Sequence, residues 1–213
     1  MSEEPGRMYR GVAPGRRRAE RRERLLAAAL DEFTSTGYQA TKIAELCSRA
    51  GVSTRNFYEE FRGKEDVLLA LHARINDMAM VRVGVELGAV AEADVVTRIG
   101  KLVDVFVATV AVDPRLPRLN YVEAVGVSPA LEAQHQEWVG RWADFICGEA
   151  ERAAEDGIAP RRDYRLTAIA LVGAVTGLLR EWQAHDPPIP AAAIAEEMKG
   201  IMIAAITRKT DAP

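Results

Sequence analysis

Cysteine, histidine and aromatic residues are scarce: two Cys, three His and 6% Phe, Trp and Tyr in 213 residues. Cys47 and Cys147 each sit among apolar helical neighbours, which favours two thiols over a disulfide. Neither has a second Cys or a His nearby, so no metal site is expected, and no cofactor. His72, His135 and His185 fall in separate segments. No nucleophile motif, glycine-rich phosphate loop or carboxylate pair accompanies them, which leaves an enzyme without support. Long apolar runs are missing as well. The longest stretch free of charge, Leu166 to Leu179, is too short for a bilayer and contains Gly173 and Gly177. The N-terminus lacks the apolar core of a secretory signal. The expectation is a cytoplasmic protein with no membrane contact.

What is present is apolar residue, 48% of the chain, enough for a substantial core. The length suits one compact domain or a small domain joined to a larger one. The net charge of −3 conceals an asymmetry. Eight arginines lie between Arg7 and Arg24 against Glu20 and Glu23, a local +6 that leaves −9 elsewhere. Positive charge concentrated in this way attracts polyanions, although a solvated face accounts for such a run equally well.

Residues 1–15, with their prolines and glycines, read as a disordered basic arm. A helix follows from near Arg17, with Leu26, Ala29, Leu30 and Phe33 on one stripe and Gly37 at its end. Thr41 is placed to cap a second helix, in which Ile43, Leu46, Cys47 and Ala50 repeat the spacing. Gly51 and Val52 turn the chain, and Ser53 caps a third helix anchored by Phe57 and Phe61. A fourth begins near Lys64. Helices are also expected over 94–112, 115–126, 129–156, 164–185 and 191–208, divided by Pro- and Gly-containing breaks. With no strand pattern, the fold class is all-α, about nine helices. A helix-turn-helix domain over 16–65 precedes a larger helical domain over 66–213.

Two short helices around Gly51-Val52-Ser53 turn the second helix outward, so that its N-terminal residues project. A helix presented in this way fits the major groove of double-stranded DNA. Arg55 suits guanine, Asn56 suits adenine, and Thr54 suits a thymine methyl or a phosphate. Lys64 opposes the macrodipole of its own helix. An arriving phosphate explains it, and so does solvation beside Glu65 and Asp66.

The segment GYQATKIAELCSRAGVSTRNFYEEFRGKEDVL resembles the DNA-binding domain of the TetR family of transcriptional regulators. The likeness rests on Gly37-Tyr38, Thr41, Leu46-Cys47 (where the family has Ile-Ala), Ala50-Gly51-Val52-Ser53, Phe57-Tyr58, Phe61 and Lys64-Glu65. It covers about residues 20–70. The resemblance implies phosphate contacts from Thr41, Tyr58 and Lys64 and base contacts from Thr54, Arg55 and Asn56. Ser53 and the basic run Arg17, Arg18 and Arg21 complete the expected DNA-binding set. Arg55 departs from the family's frequent Gly, and Glu60 from its frequent His or Tyr. Acids beside phosphate repel, so Glu59 and Glu60 are expected to point away or pair with basic neighbours.

For the larger domain the resemblance implies effector binding and a homodimer built on the last two helices. Leu171, Gly173, Val175, Leu178, Ile194, Met198 and Ile201 are the expected interface, although an intramolecular core explains the same spacing. Phe106, Tyr121, His135, Trp138 and Trp142 are candidate lining for a pocket that takes an apolar or aromatic small molecule, or they are core. Glu123, on an otherwise apolar segment, binds a cationic ligand or faces solvent. The expected function is a regulator of transcription, a repressor released from a palindromic operator by a small-molecule effector. The alternative is a helical adaptor, or an activator without small-molecule release.

Overall fold

The computed structural model describes residues 14–185 and 189–208. Most of the expected basic arm, residues 1–13, and part of the Pro-rich turn before the last helix lie outside them. The described residues form nine α-helices and one π-helical turn, with no strand. In chain order these are α1 (Pro14–Ser35), α2 (Ile43–Ala50), α3 (Thr54–Tyr58), α4 (Lys64–Gly88), α5 (Val95–Ala111), α6 (Arg115–Arg118), the π-turn (Leu119–Glu123), α7 (Pro129–Glu155), α8 (Arg165–Ala184) and α9 (Ala191–Thr207). None is long and apolar enough to cross a membrane.

Two cores hold the chain. The first gathers Leu25, Phe33, Leu46, Phe57, Val67 and Leu71 from α1 to α4. The second lies among α4, α5, α7, α8 and α9, around Val83, Ile99, Trp142, Leu171 and Met198. A domain boundary at 65/66 falls in the first turn of α4. The packing changes hands further along, between Ile75 and Ala79, because one continuous 25-residue helix serves both cores. Leu119 of the π-turn, Ala124 and Leu131 of α7 also belong to the first core.

Local chemistry explains the ends. Asp94 caps α5 by accepting from the Val96 and Thr97 N–H groups, and Ser128 caps α7, with Pro129 in the first turn. Two expectations need correction. Thr41 does not cap α2: its hydroxyl donates to the Gly37 carbonyl at 2.8 Å while the chain is still turning, and Lys42 takes the cap position. There the Glu45 carboxylate accepts the Lys42 N–H at 2.9 Å. The segment after Arg115 is not one regular helix either. Four α-helical residues give way to the π-turn, closed by the Ala124 N–H on the Leu119 carbonyl at 3.0 Å. Single-turn π insertions are rare and cluster at functional sites, and hydrophobic spacing does not announce them.

Candidate DNA-reading surface and effector cavity

The bend between α2 and α3 is made by Gly51, whose φ of 61° and ψ of 40° lie in the left-handed region. Ser53 accepts the Asn56 N–H at 3.2 Å and starts α3. Phe57 is fully buried, packed near Phe61 and edge-on to Tyr58, and fixes the rotation of this five-residue helix. Thr54, Arg55 and Tyr58 therefore face outward and Asn56 is half-buried. The Arg55 side chain is 90% exposed.

Glu60 organises the arginines of α1. Its carboxylate, 1% exposed, accepts from Arg21 at 2.6 Å and from Arg18 at 3.0 Å. Burial by itself would raise its pKa; the hydrogen bonds from Arg21 and Arg18 outweigh it and hold the carboxyl below the usual range. Arg22 donates to the Glu60 carbonyl and lies over the Phe61 ring. Arg21 also pairs with Glu59. Of the three arginines expected at DNA, Arg17 is exposed, Arg18 keeps an open face beside its ion pair, and Arg21 is largely enclosed.

Lys64 and Thr41 are both engaged within the chain. The Lys64 ammonium donates to the carbonyls of Tyr38 (2.7 Å), Gln39 (3.1 Å) and Thr41 (3.0 Å), and lies over the Tyr38 ring. All three of its protons are engaged. The unfavourable macrodipole position is offset by a ring of carbonyl oxygens, with no phosphate required. Burial lowers the pKa of this ammonium. The Thr41 side chain is buried. Together these two residues shape the Gly37–Thr41 turn that leads into α2.

In the larger domain the five aromatic and histidine candidates come together. Phe106, Tyr121, His135, Trp138 and Trp142 line one cavity with Met198 and Met202. It is a narrow slit of about 50 Å³. Phe106 and Trp142 meet edge to face. Full burial pushes the Tyr121 hydroxyl up to about 12. A second, more polar chamber shares Asn120, Tyr121, His135 and Thr176 with the slit.

Several positions that tie these elements together gave no sequence signal. Pocket-lining Asn120, on the π-turn, accepts from the buried Asn76 amide of α4 at 3.0 Å. Glu123, at the end of the same turn, neither faces solvent nor stands ready for a cation. Its side chain is 13% exposed, accepts the Tyr38 N–H at 2.9 Å and pairs with Arg118 at 3.4 Å. A second buried pair, Arg98–Glu149, is bidentate at 2.6 and 2.7 Å; Arg98 also donates to the carbonyls of Leu87 and Val90, locking α5 and α7 to the end of α4. A lone Asn or Glu on a helix is ordinarily a solvated residue, so only proximity reveals these partners.

The expected interface residues divide. Leu171, Ile194 and Met198 are buried in the chain's own core, because the face of α8 that carries Leu171 packs inward and α9 closes over it. Val175, Leu178 and Ile201 are half-buried, and Val175 lines the slit. Gly173 is exposed, in a stripe with Leu166, Ile169 and Gly177 along the open face of α8. Cys47 and Cys147 are free thiols. No group of three or more potential metal ligands occurs among the described residues.

Residues 25–71 match the family model described as bacterial regulatory proteins, tetR family. The HTH-type transcriptional activator FasR of Mycolicibacterium smegmatis is 29% identical over 172 residues, 81% of this chain and 76% of that protein. Two solved structures share the fold. FadR of Bacillus subtilis in complex with stearoyl-CoA has a TM-score of 0.76 at 17% identity, covering 86% of this chain and 98% of that one. AibR in complex with isovaleryl coenzyme A and operator DNA has a TM-score of 0.67 at 19% identity, covering 85% and 97%.

Proposed function

Because the chain belongs to the TetR family of transcriptional regulators, we propose that it is a homodimeric repressor released from a palindromic operator by an acyl-chain effector. The observation that carries this reading is the π-turn. Its Asn120 and Tyr121 are walls of the aromatic slit, and its Leu119 is a fully buried member of the DNA-binding core. Its last residue, Glu123, holds the turn that Lys64 shapes ahead of α2. A slit this narrow must spread to admit a ligand, and spreading it displaces a wall shared with the reading head.

The lining is apolar and aromatic, as a hydrocarbon chain requires. FadR and AibR were solved with acyl-CoA esters, which agrees with that chemistry. Release follows when the effector prefers one separation of the two recognition helices by a few kcal/mol. The second copy docks on the open stripe of α8, where Gly173 and Gly177 permit close helix approach. Thr54, Arg55 and Tyr58 of each subunit then meet half-sites about one helical turn apart or a multiple of it. The protein acts in the cytoplasm, where its operator lies.

A second reading is an activator, favoured by the name of FasR. The same DNA contact silences or stimulates a promoter according to where the operator lies. Mobility shift with DNA flanking the protein's own gene, titrated with palmitoyl-CoA, tests the core of the proposal. Binding at low salt and release by the thioester are expected. Failure to bind, or binding that no acyl compound alters, overturns it.

A further inference from the structure

The polar chamber beside the slit contains a buried donor whose direction can be worked out. The Gln134 amide nitrogen donates to the Leu69 carbonyl at 3.0 Å and lies 2.8 Å from His72 Nδ1. An amide nitrogen has only hydrogens to offer, so Nδ1 of His72 accepts, and the neutral ring carries its proton on Nε2. His72 is 1% exposed, and burial together with the nearby His135 lowers its pKa to about 4, so the ring is neutral near pH 7. No described residue accepts from Nε2. His72 lines the chamber, and with Nδ1 engaged by Gln134, Nε2 is the ring nitrogen left to serve it.

The other walls define what this donor meets. His135, its ring 6.1 Å from that of His72, lies at the junction with the slit, alongside Asn120, Tyr121 and Thr176. The Thr176 hydroxyl donates to the Val172 carbonyl. The far wall is made of exposed Glu132, Gln136 and Arg180, so the chamber opens to solvent there. Glu132 accepts from Gln136. The opposite charges of Glu132 and Arg180 leave these walls close to neutral. The chamber is the roomier of the two, about 180 Å³ against about 50 Å³ for the slit.

We infer that this chamber receives the uncharged carbonyl of a conjugated acyl chain, with His72 Nε2–H donating to the carbonyl oxygen. The hydrocarbon runs into the slit and the rest of the conjugate leaves past Arg180. A carbonyl brings an acceptor and no charge, which suits a buried neutral donor. A free carboxylate would lose its hydration against walls whose opposite charges cancel, with no net positive charge to replace it. The inference rests on the acyl-effector reading above and adds a selectivity to it: thioester over free acid, set by one side chain.

Fluorescence of Trp138 and Trp142 in the intact protein reads binding of palmitoyl-CoA, free palmitate, CoA alone and S-hexadecyl-CoA, which has the chain but no carbonyl. Wild-type protein is expected to bind palmitoyl-CoA about tenfold more tightly than the thioether, the scale of one hydrogen bond. Palmitate and CoA alone bind more weakly still. His72→Phe abolishes the preference for the carbonyl, and His72→Gln, which keeps an N–H, retains most of it. Should His72→Phe not fold, the thioether comparison on wild-type protein decides alone. Equal affinity for thioester and thioether overturns the inference and leaves the acyl-effector reading standing. So does a preference that survives His72→Phe, or palmitate binding as tightly as palmitoyl-CoA. Failure to bind any of the four compounds removes both.

Discussion

Replacing Glu123 by Ala tests whether the cavity and the reading head are coupled. The carboxylate accepts the Tyr38 N–H at 2.9 Å from a largely enclosed position, and Tyr38 itself is buried. A hydrogen bond to a charged group contributes about 1.5–3 kcal/mol, and its loss leaves a backbone donor unsatisfied. If the bond exists in the DNA-competent form and breaks in the effector-bound form, the substitution shifts the balance between them by roughly 10- to 150-fold. For two states the fold-loss in operator affinity multiplied by the fold-gain in effector affinity equals that shift, whatever the starting populations. Both factors are measurable, by mobility shift and by tryptophan fluorescence. Glu123→Gln, which keeps a neutral acceptor, should give a smaller product. A product near one, accompanied by a fall in melting temperature, would refute the coupling. The bond would then be present in both forms and would only hold the fold together.

Three further outcomes are expected. Arg98→Met strands the Glu149 carboxylate in the core and should cost about 3–5 kcal/mol in denaturant unfolding, most of it recovered in Arg98→Met/Glu149→Leu. Full stability in the single variant would mean that the pair is not desolvated. At the DNA surface, Lys64→Met should weaken operator binding by loosening the Gly37–Thr41 turn, with no change in the slope of log affinity against log salt. A side chain held by three carbonyls releases no counterion, so a slope smaller by about one would restore a phosphate contact. Arg55→Ala, by contrast, should leave melting unchanged and relax preference at one base position, by about 1–3 kcal/mol of discrimination.

The helix-turn-helix was legible because its determinants are local. Gly51 supplies a left-handed bend, Ser53 supplies a cap, and Phe57 and Phe61 recur four residues apart; none of these depends on distant chain. The five cavity residues were legible for a similar reason, since large aromatics with polar edges on neighbouring helices tend to converge. Roles that depend on a partner far along the chain were not legible. The acceptors of the Lys64 ammonium were not legible, because nothing near it in the chain marks the carbonyls 23 to 26 residues earlier. Leu171, Ile194 and Met198 shared the periodicity of an interface, and periodicity names an apolar face without saying what covers it.

The sequence by itself determined an all-helical chain, the bend at Gly51, and the outward projection of Thr54 and Arg55, because caps, turns and apolar spacing act over a few residues. Only the tertiary structure decided that the segment after Arg115 widens into a π-turn, that Glu123 reaches Tyr38, and that Glu60 binds the arginines of α1. The last two turn on polar groups finding partners across 39 to 85 residues of chain. The energy of such a pairing depends on burial and distance, which exist only after the cores have closed.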